Sequence, residues 1–144
     1  MATVFEMIRD GQIPSTKIYE DEKCFVILDL SPVNKGHALV IAKEAVPTFT
    51  EIDADTLHHM IDIARKVDMK MREVLHADGT NIVINNGPAS GQEVPHLHIH
   101  VIPRFSGDGK TFSFPSKEKY SEGEMAEYGA RLKIRERLFS SSSA

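Results

Sequence analysis

Between Asp53 and Leu75 the apolar residues Leu57, Met60, Ile61, Ala64, Val67, Met71 and Val74 return at helical spacing. That period predicts one long amphipathic helix, closed by Asp78-Gly79, whose single apolar stripe must lie on another layer of structure. The rest of the chain supplies that layer as strands. Lys17 to Glu20 and Cys24 to Asp29 flank the charged Asp21-Glu22-Lys23 and read as a hairpin. After the turn-rich loop Ser31 to Gly36, His37 to Ala42 reads as a buried strand, and Asn81 to Asn86 as another. With the run beginning at His96, the expectation is an α+β fold: a mainly antiparallel five-stranded sheet, the long helix, and one or two shorter ones.

The short helices are announced by their caps. Thr3 followed by Glu6 is a capping box, and Val4, Phe5, Met7 and Ile8 give a short helix an apolar face before Gly11 and Pro14 end it. Ser121 and Glu124 repeat the signature and predict a charged helix to about Leu138, followed by a disordered tail from Ser140 to Ala144. A chain of 144 residues with 41% apolar content builds one sizeable core, not two. The formal net charge of −4 offers no basic field for DNA or RNA. No window approaches the ~20 apolar residues of a membrane span, and the N-terminus lacks the basic and apolar segments of a signal peptide. Cys24 is the only cysteine, so no internal disulfide forms, and the expectation is a cytoplasmic protein with no membrane partner.

The chemistry concentrates in His96-Leu97-His98-Ile99-His100-Val101-Ile102. Alternate side chains of a strand share a face, so the three histidines point one way while Leu97, Ile99 and Val101 enter the core. Neighbours on that face lie about 6.6–6.8 Å apart, which lets one act while the others orient or bind. Imidazole serves as nucleophile, as acid or base, or as metal ligand, and the triad alone does not choose. The preceding loop does: Gly87, Gly91 and the amides of Asn85, Asn86 and Gln92 offer neutral donors and close backbone approach, which suits phosphate better than a metal.

These residues resemble the histidine-triad superfamily, whose hallmark is His-x-His-x-His followed by two apolar residues. The likeness spans residues 4–105, including the helix and hairpin from Val4 to Asp29, the Pro-x-x-x-Gly-His segment Pro32 to His37, and the loop residues Asn85-Asn86-Gly87 and Gly91-Gln92. Pro103-Arg104 is similar to the bacterial, archaeal and dinucleoside-polyphosphate-cleaving members. The resemblance implies a histidine-triad domain over residues 4–105 and a C-terminal extension over 106–139. It implies that His98 is the nucleophile, that His96 and His100 orient it and contact phosphate oxygens, and that His37 is a fourth histidine of the site. Asp29 takes the ribose-binding position, and Phe5, Ile8 and Ile27 the slot for the base. Asn85, Gly91, Gln92 and Glu93 fall beside the phosphates.

The implied reaction is attack by His98 on the α-phosphorus of a purine nucleoside phosphoramidate or dinucleoside polyphosphate, followed by hydrolysis of a nucleotidyl-histidine. The implied enzyme is a homodimer pairing through the long helix and a sheet edge. It needs no metal cofactor, Mg²⁺ arriving only with a polyphosphate substrate. Glu93 stands where well-known branches carry serine or threonine. Facing the substrate, it would hold a proton and act as a general acid; pointing outward, it would be a solvated charge. Pro95 also departs from residues that pack near the substrate in some branches. Two rivals stay open: a metal-dependent hydrolase using His96, His98 and His37 as ligands, and a nucleotide-binding adaptor without useful turnover.

Overall fold

The computed structural model describes residues 1–134. Its first compact unit runs from Met1 to Asp108. Within it lie α1 (Val4–Arg9), β1 (Lys17–Glu20), β2 (Cys24–Leu28), β3 (Ala38–Ala42), α2 (Ala54–Val74), β4 (Gly79–Val83) and β5 (His98–Arg104). The five strands form one sheet in the order β1-β2-β3-β5-β4, every neighbouring pair antiparallel.

Helices cover both faces of the central strands, which is why β2 and β3 read as continuous apolar runs instead of alternating. On one face Cys24, Val26, Val40, Ile99 and Val101 pack with Met60, Ile63, Ala64, Val67 and Met71 of α2. On the other, Phe25, Ile27, Leu39 and Ile41 pack with Phe5, beside Ile8 and Val94. His98 stands opposite Ile41 and His100 opposite Leu39, so the histidines share this second face, next to α1. Both ends of α1 are set locally. The Thr3 hydroxyl accepts the Glu6 N–H at 3.2 Å while the Glu6 carboxylate accepts the Thr3 N–H at 3.1 Å, the reciprocal box expected from sequence.

The long helix differs from expectation in detail. Its N-cap is Asp53, whose carboxylate accepts the Thr56 N–H at 3.0 Å. Ile61 and Val74 were expected in the stripe, yet they are 44% and 52% exposed, while Ile63 is buried. Ile61 follows Met60, which takes the core position, and consecutive helical residues face about 100° apart. Val74 instead lines an apolar groove with Leu75, Ile18 and Leu28. Termination belongs to His76, at φ 56, not to Gly79. Gly79 opens β4, which starts and stops earlier than the expected Asn81 to Asn86. Pairing with β5 sets its length, from Gly79 opposite Arg104 to Val83 opposite His100, and so releases Asn85 and Asn86 from the sheet.

The second unit begins at Gly109 and holds α3 (Glu124–Leu132). Gly123, not Ser121, is its N-cap, because the left-handed backbone there (φ 79) turns the chain into the helix. Half of the expected box survives: the Glu124 carboxylate accepts the Ser121 N–H at 2.9 Å. The predicted continuation to Leu138 and the tail from Ser140 lie outside the described residues.

Candidate active site

His96 precedes the regular part of β5 and is 0% exposed. Its Nε2 donates to the Ala42 carbonyl at 2.6 Å, and its Nδ1 lies 3.2 Å from the Thr3 hydroxyl. A carbonyl only accepts, so the proton sits on Nε2 and Nδ1 receives the threonine's proton. Burial holds this imidazole below its ordinary pKa, keeping it neutral. Both nitrogens are therefore occupied internally. Against the expected contact of His96 with phosphate, the structure places its ring nitrogens on Ala42 and Thr3, and His96 is not among the residues that line the cavity.

His98 uses the carbonyl of His96 itself. Its Nδ1 donates there at 2.7 Å, leaving the lone pair on Nε2. The ring is 8% exposed, and Phe5 contacts it edge-on with centroids 4.9 Å apart. Burial first, with His96 adding to it, lowers the His98 pKa against the opposing backbone hydrogen bond. At neutral pH Nε2 thus carries an unprotonated lone pair.

His100 has the opposite polarity. The Val33 N–H donates to His37 Nδ1 at 3.1 Å, which puts the His37 proton on Nε2. That Nε2 lies 3.0 Å from His100 Nδ1, so His37 donates and the remaining proton of His100 sits on Nε2. Burial, then the like neighbours His98 and His37, push His100 down to about 4, while burial lowers His37 against the pull of Asp29. The Asp29 carboxylate lies 3.7 Å from His37 Nε2 and also accepts the Ser31 N–H at 2.9 Å.

His98 and His100 open on a cavity of about 290 Å³, lined also by Phe5, Asn85, Gly91, Gln92, Glu93 and Val94. Gly91 has φ 97, a left-handed turn at which glycine carries no Cβ penalty. Of the expected phosphate donors, Gln92 is already engaged: its amide accepts the Gly87 N–H and donates to the Pro47 carbonyl, both at 2.7 Å, bracing the loop. Asn86 likewise accepts the Phe49 N–H at 3.0 Å. Asn85 makes no hydrogen bond among the described residues and is the amide left for a ligand. Glu93 is exposed at the rim. Ile27 and Ile8 pack with and behind Phe5, and neither lines the cavity. Sequence reasoning missed Thr3, Val33 and Ala42 as partners of the histidines, since Thr3 signalled only a helix cap and the other two act through backbone.

Two groups of side chains bring metal-ligand atoms within 4.8 Å of one another: Asp29, His37 and His100, and, on the sheet's other face, Asp21, Cys24 and His59. The rival set of His96, His98 and His37 does not converge among the described residues, because His96 is turned away into its own hydrogen bonds.

The HIT domain model matches residues 10–107. An uncharacterized HIT-like protein of Methanocaldococcus jannaschii is 43% identical over 111 residues, covering 77% of this chain and 85% of that protein. Adenylylsulfatase HINT3 of Arabidopsis thaliana is 37% identical over 105 residues, covering 73% of this chain and 53% of the relative. A crystal structure of a HIT family member from Bacillus subtilis superposes with a TM-score of 0.81 at 32% identity, covering 92% of this chain and 95% of that one. Fold, triad and these similarities agree, and the chain belongs to the HIT domain family.

Proposed function

We propose that this protein is a nucleotide hydrolase or nucleotidyl transferase that cleaves a purine nucleoside phosphoramidate or dinucleoside polyphosphate at the α-phosphorus. The observation that carries the reading is the opposed polarity of His98 and His100, a lone pair and an N–H donor on one cavity wall. Nε2 of His98 bonds to phosphorus as the bond to the leaving amine, phosphate or nucleotide breaks; the departing group takes the electron pair, and a departing amine also takes up a proton, which the water of the second step replaces. The imidazole becomes cationic, and its Nδ1–H to the His96 carbonyl strengthens as charge develops. His100 donates to a phosphate oxygen of the flattened intermediate. Water then attacks phosphorus, Nε2 leaves, and the monophosphate and a proton are released.

The cavity's size, at the lower end of the ~300–1,000 Å³ usual for ligand sites, favours one nucleoside monophosphate unit held inside. Phe5 would bound the base, Asp29 the ribose, and Asn85 with Gly91 the phosphate. The reaction needs no resident metal, and Mg²⁺ would enter with a polyphosphate. An adenylylsulfatase among the relatives supports chemistry at a nucleotide's α-phosphorus. The β4 edge, which pairs with no further strand among the described residues, together with Met69 exposed on α2, supports a homodimer, and the lone buried thiol of Cys24 suits a reducing cytoplasm. Light scattering at twice the 16.1 kDa chain mass tests the dimer.

The test of the reaction is an acid-labile nucleotide adduct. After rapid mixing with an adenosine phosphoramidate, intact-mass and peptide analysis should find adenylate on His98. His98→Gly should abolish turnover while keeping most nucleotide affinity. Turnover by His98→Gly, or an adduct on another residue, rejects the assignment.

A further inference from the structure

The Thr3 hydroxyl is bonded twice. It accepts the Glu6 N–H as the N-cap of α1, and it gives its own proton to His96 Nδ1, a residue 93 positions away. The direction of the second bond is forced, because Ala42 offers His96 Nε2 only a carbonyl. The carbonyl that aims His98 belongs to this same His96. It lies just before the residue pairs of the β ladder, which begin at His98–Ile41, and its peptide is held on the backbone side by the Leu97 N–H donating to the Val46 carbonyl at 2.8 Å, with the Ala42 N–H donating to the next carbonyl, that of Leu97, at 3.2 Å. His96 itself adds two anchors: its N–H donates to the Val94 carbonyl at 2.8 Å, and its ring is clamped at both nitrogens. Phe5, two residues after Thr3, touches both rings, with centroids 5.8 Å from His96 and 4.9 Å from His98.

We infer that Thr3 is a positioning residue for the reaction at His98, its hydroxyl fixing the orientation of His96 in the tautomer that Ala42 imposes, so that the His96 carbonyl holds the His98 Nδ1 proton and aims Nε2 into the cleft. The inference rests on the nucleophilic role proposed for His98. It gives the capping box of α1 a second purpose, since the proton that caps nothing is the one that sets the active histidine.

Three variants of the full chain, with ¹⁵N-labelled histidine, separate this role from helix stability. Thr3→Asp keeps a strong N-cap, because its carboxylate accepts the Glu6 N–H, but it presents only an acceptor to His96 Nδ1. Thr3→Val removes cap and donor together. Thr3→Ser keeps both. In the parent chain His96 should show a proton on Nε2 and none on Nδ1. In Thr3→Asp it should become doubly protonated near neutral pH and shift the His98 Nδ1 resonance, with far-UV dichroism unchanged. On a phosphoramidate, kcat should fall about 3- to 10-fold, the size of one neutral hydrogen bond, with KM within about twofold. Thr3→Ser should recover that loss. A proton on His96 Nδ1 in the parent, or a Thr3→Asp chain whose His98 resonance and kcat match the parent, overturns the inference. If the parent turns over no nucleotide, the proposed reaction fails, while the ring resonances still decide the clamp: an unmoved His98 signal in Thr3→Asp rejects it.

Discussion

Acidification should loosen this fold well above the range in which carboxylates titrate, and His100 should contribute most. Burial and the neighbouring His98 and His37 hold its imidazole at about 4, against 6.5 for an ordinary histidine, with the Asp29 carboxylate pulling in the other direction. The unfolded chain therefore takes up this proton near pH 6.5 and the folded chain only near pH 4. Between those values the unfolded state binds more protons, so stability is full above pH ~6.5 and falls as pH drops toward ~4. At ~1.36 kcal/mol per pKa unit the whole shift corresponds to about 3 kcal/mol. The ring keeps some contact with water, which screens it, so about 2 kcal/mol is expected from His100. Burial lowers His37, His96 and His98 as well, and their losses run in the same direction. Asp53, Asp62 and Asp68 sit below the ordinary carboxylate range through hydrogen bonds to Thr56, Arg65 and Arg72, and their contribution is lost only below about pH 4. Urea unfolding at about pH 7, 6, 5 and 4.5 reads the effect as a falling midpoint at constant slope. His100→Asn should start less stable at pH 7 but lose about 2 kcal/mol less on the way to pH 4.5. A parent midpoint that stays flat from pH 6.5 to 5, or an equal loss in His100→Asn, refutes the electrostatic picture of the site.

Asn85→Ala should raise KM for a nucleotide about fivefold with a smaller change in kcat, because it removes one ligand hydrogen bond, whereas Gln92→Ala should lower kcat by releasing the loop. Glu93→Gln should slow phosphoramidates of basic amines and spare those with activated, phenol-like leaving groups; equal changes for both remove Glu93 from the proton-donor role. Gly36→Ala should cost about 1–3 kcal/mol in thermal or urea unfolding, since Gly36 has φ +99 and an added Cβ would stand 2.7 Å from Leu75 Cδ1. Exhaustive chelation should leave phosphoramidase activity intact, and restoration by Zn²⁺ alone would favour the metal reading.

What was legible in the sequence was whatever depends on neighbours along the chain. The stripe of α2, the capping box of Thr3 and the in-phase histidines are all local patterns; the box appears where expected, and the stripe does at Met60, Ala64, Val67 and Met71, buried against the sheet, though not at Ile61 and Val74. Register across the sheet was less legible: β4 slid toward its N-terminus because Gly79 pairs with Arg104, a partner the run Asn81 to Asn86 does not announce. The same limit explains Gln92. Its amide suits a phosphate as well as it suits the Gly87 N–H and the Pro47 carbonyl, and only the folded loop brings the latter two within 2.7 Å.

The deepest gap between pattern and chemistry lies within the triad. Alternation puts His96, His98 and His100 on one face but treats them as equals, and the fold makes them three different groups. Each difference traces to one backbone atom whose hydrogen-bonding direction cannot reverse. The Ala42 carbonyl forces a proton onto His96 Nε2, the His96 carbonyl forces one onto His98 Nδ1, and the Val33 N–H, acting through His37, leaves the His100 proton on Nε2. The result is a clamped ring, a lone pair facing the cavity and an N–H donor from three identical side chains, which the proposed reaction uses as strut, nucleophile and donor. A nucleophile next to a donor is useful only while both rings are neutral: protonated, His98 would lose its lone pair. In the proposed reaction the burial that lowers the four histidines of the site is therefore part of the catalytic arrangement, and the acid sensitivity it imposes on the fold is the thermodynamic counterpart of a nucleophile kept ready at neutral pH.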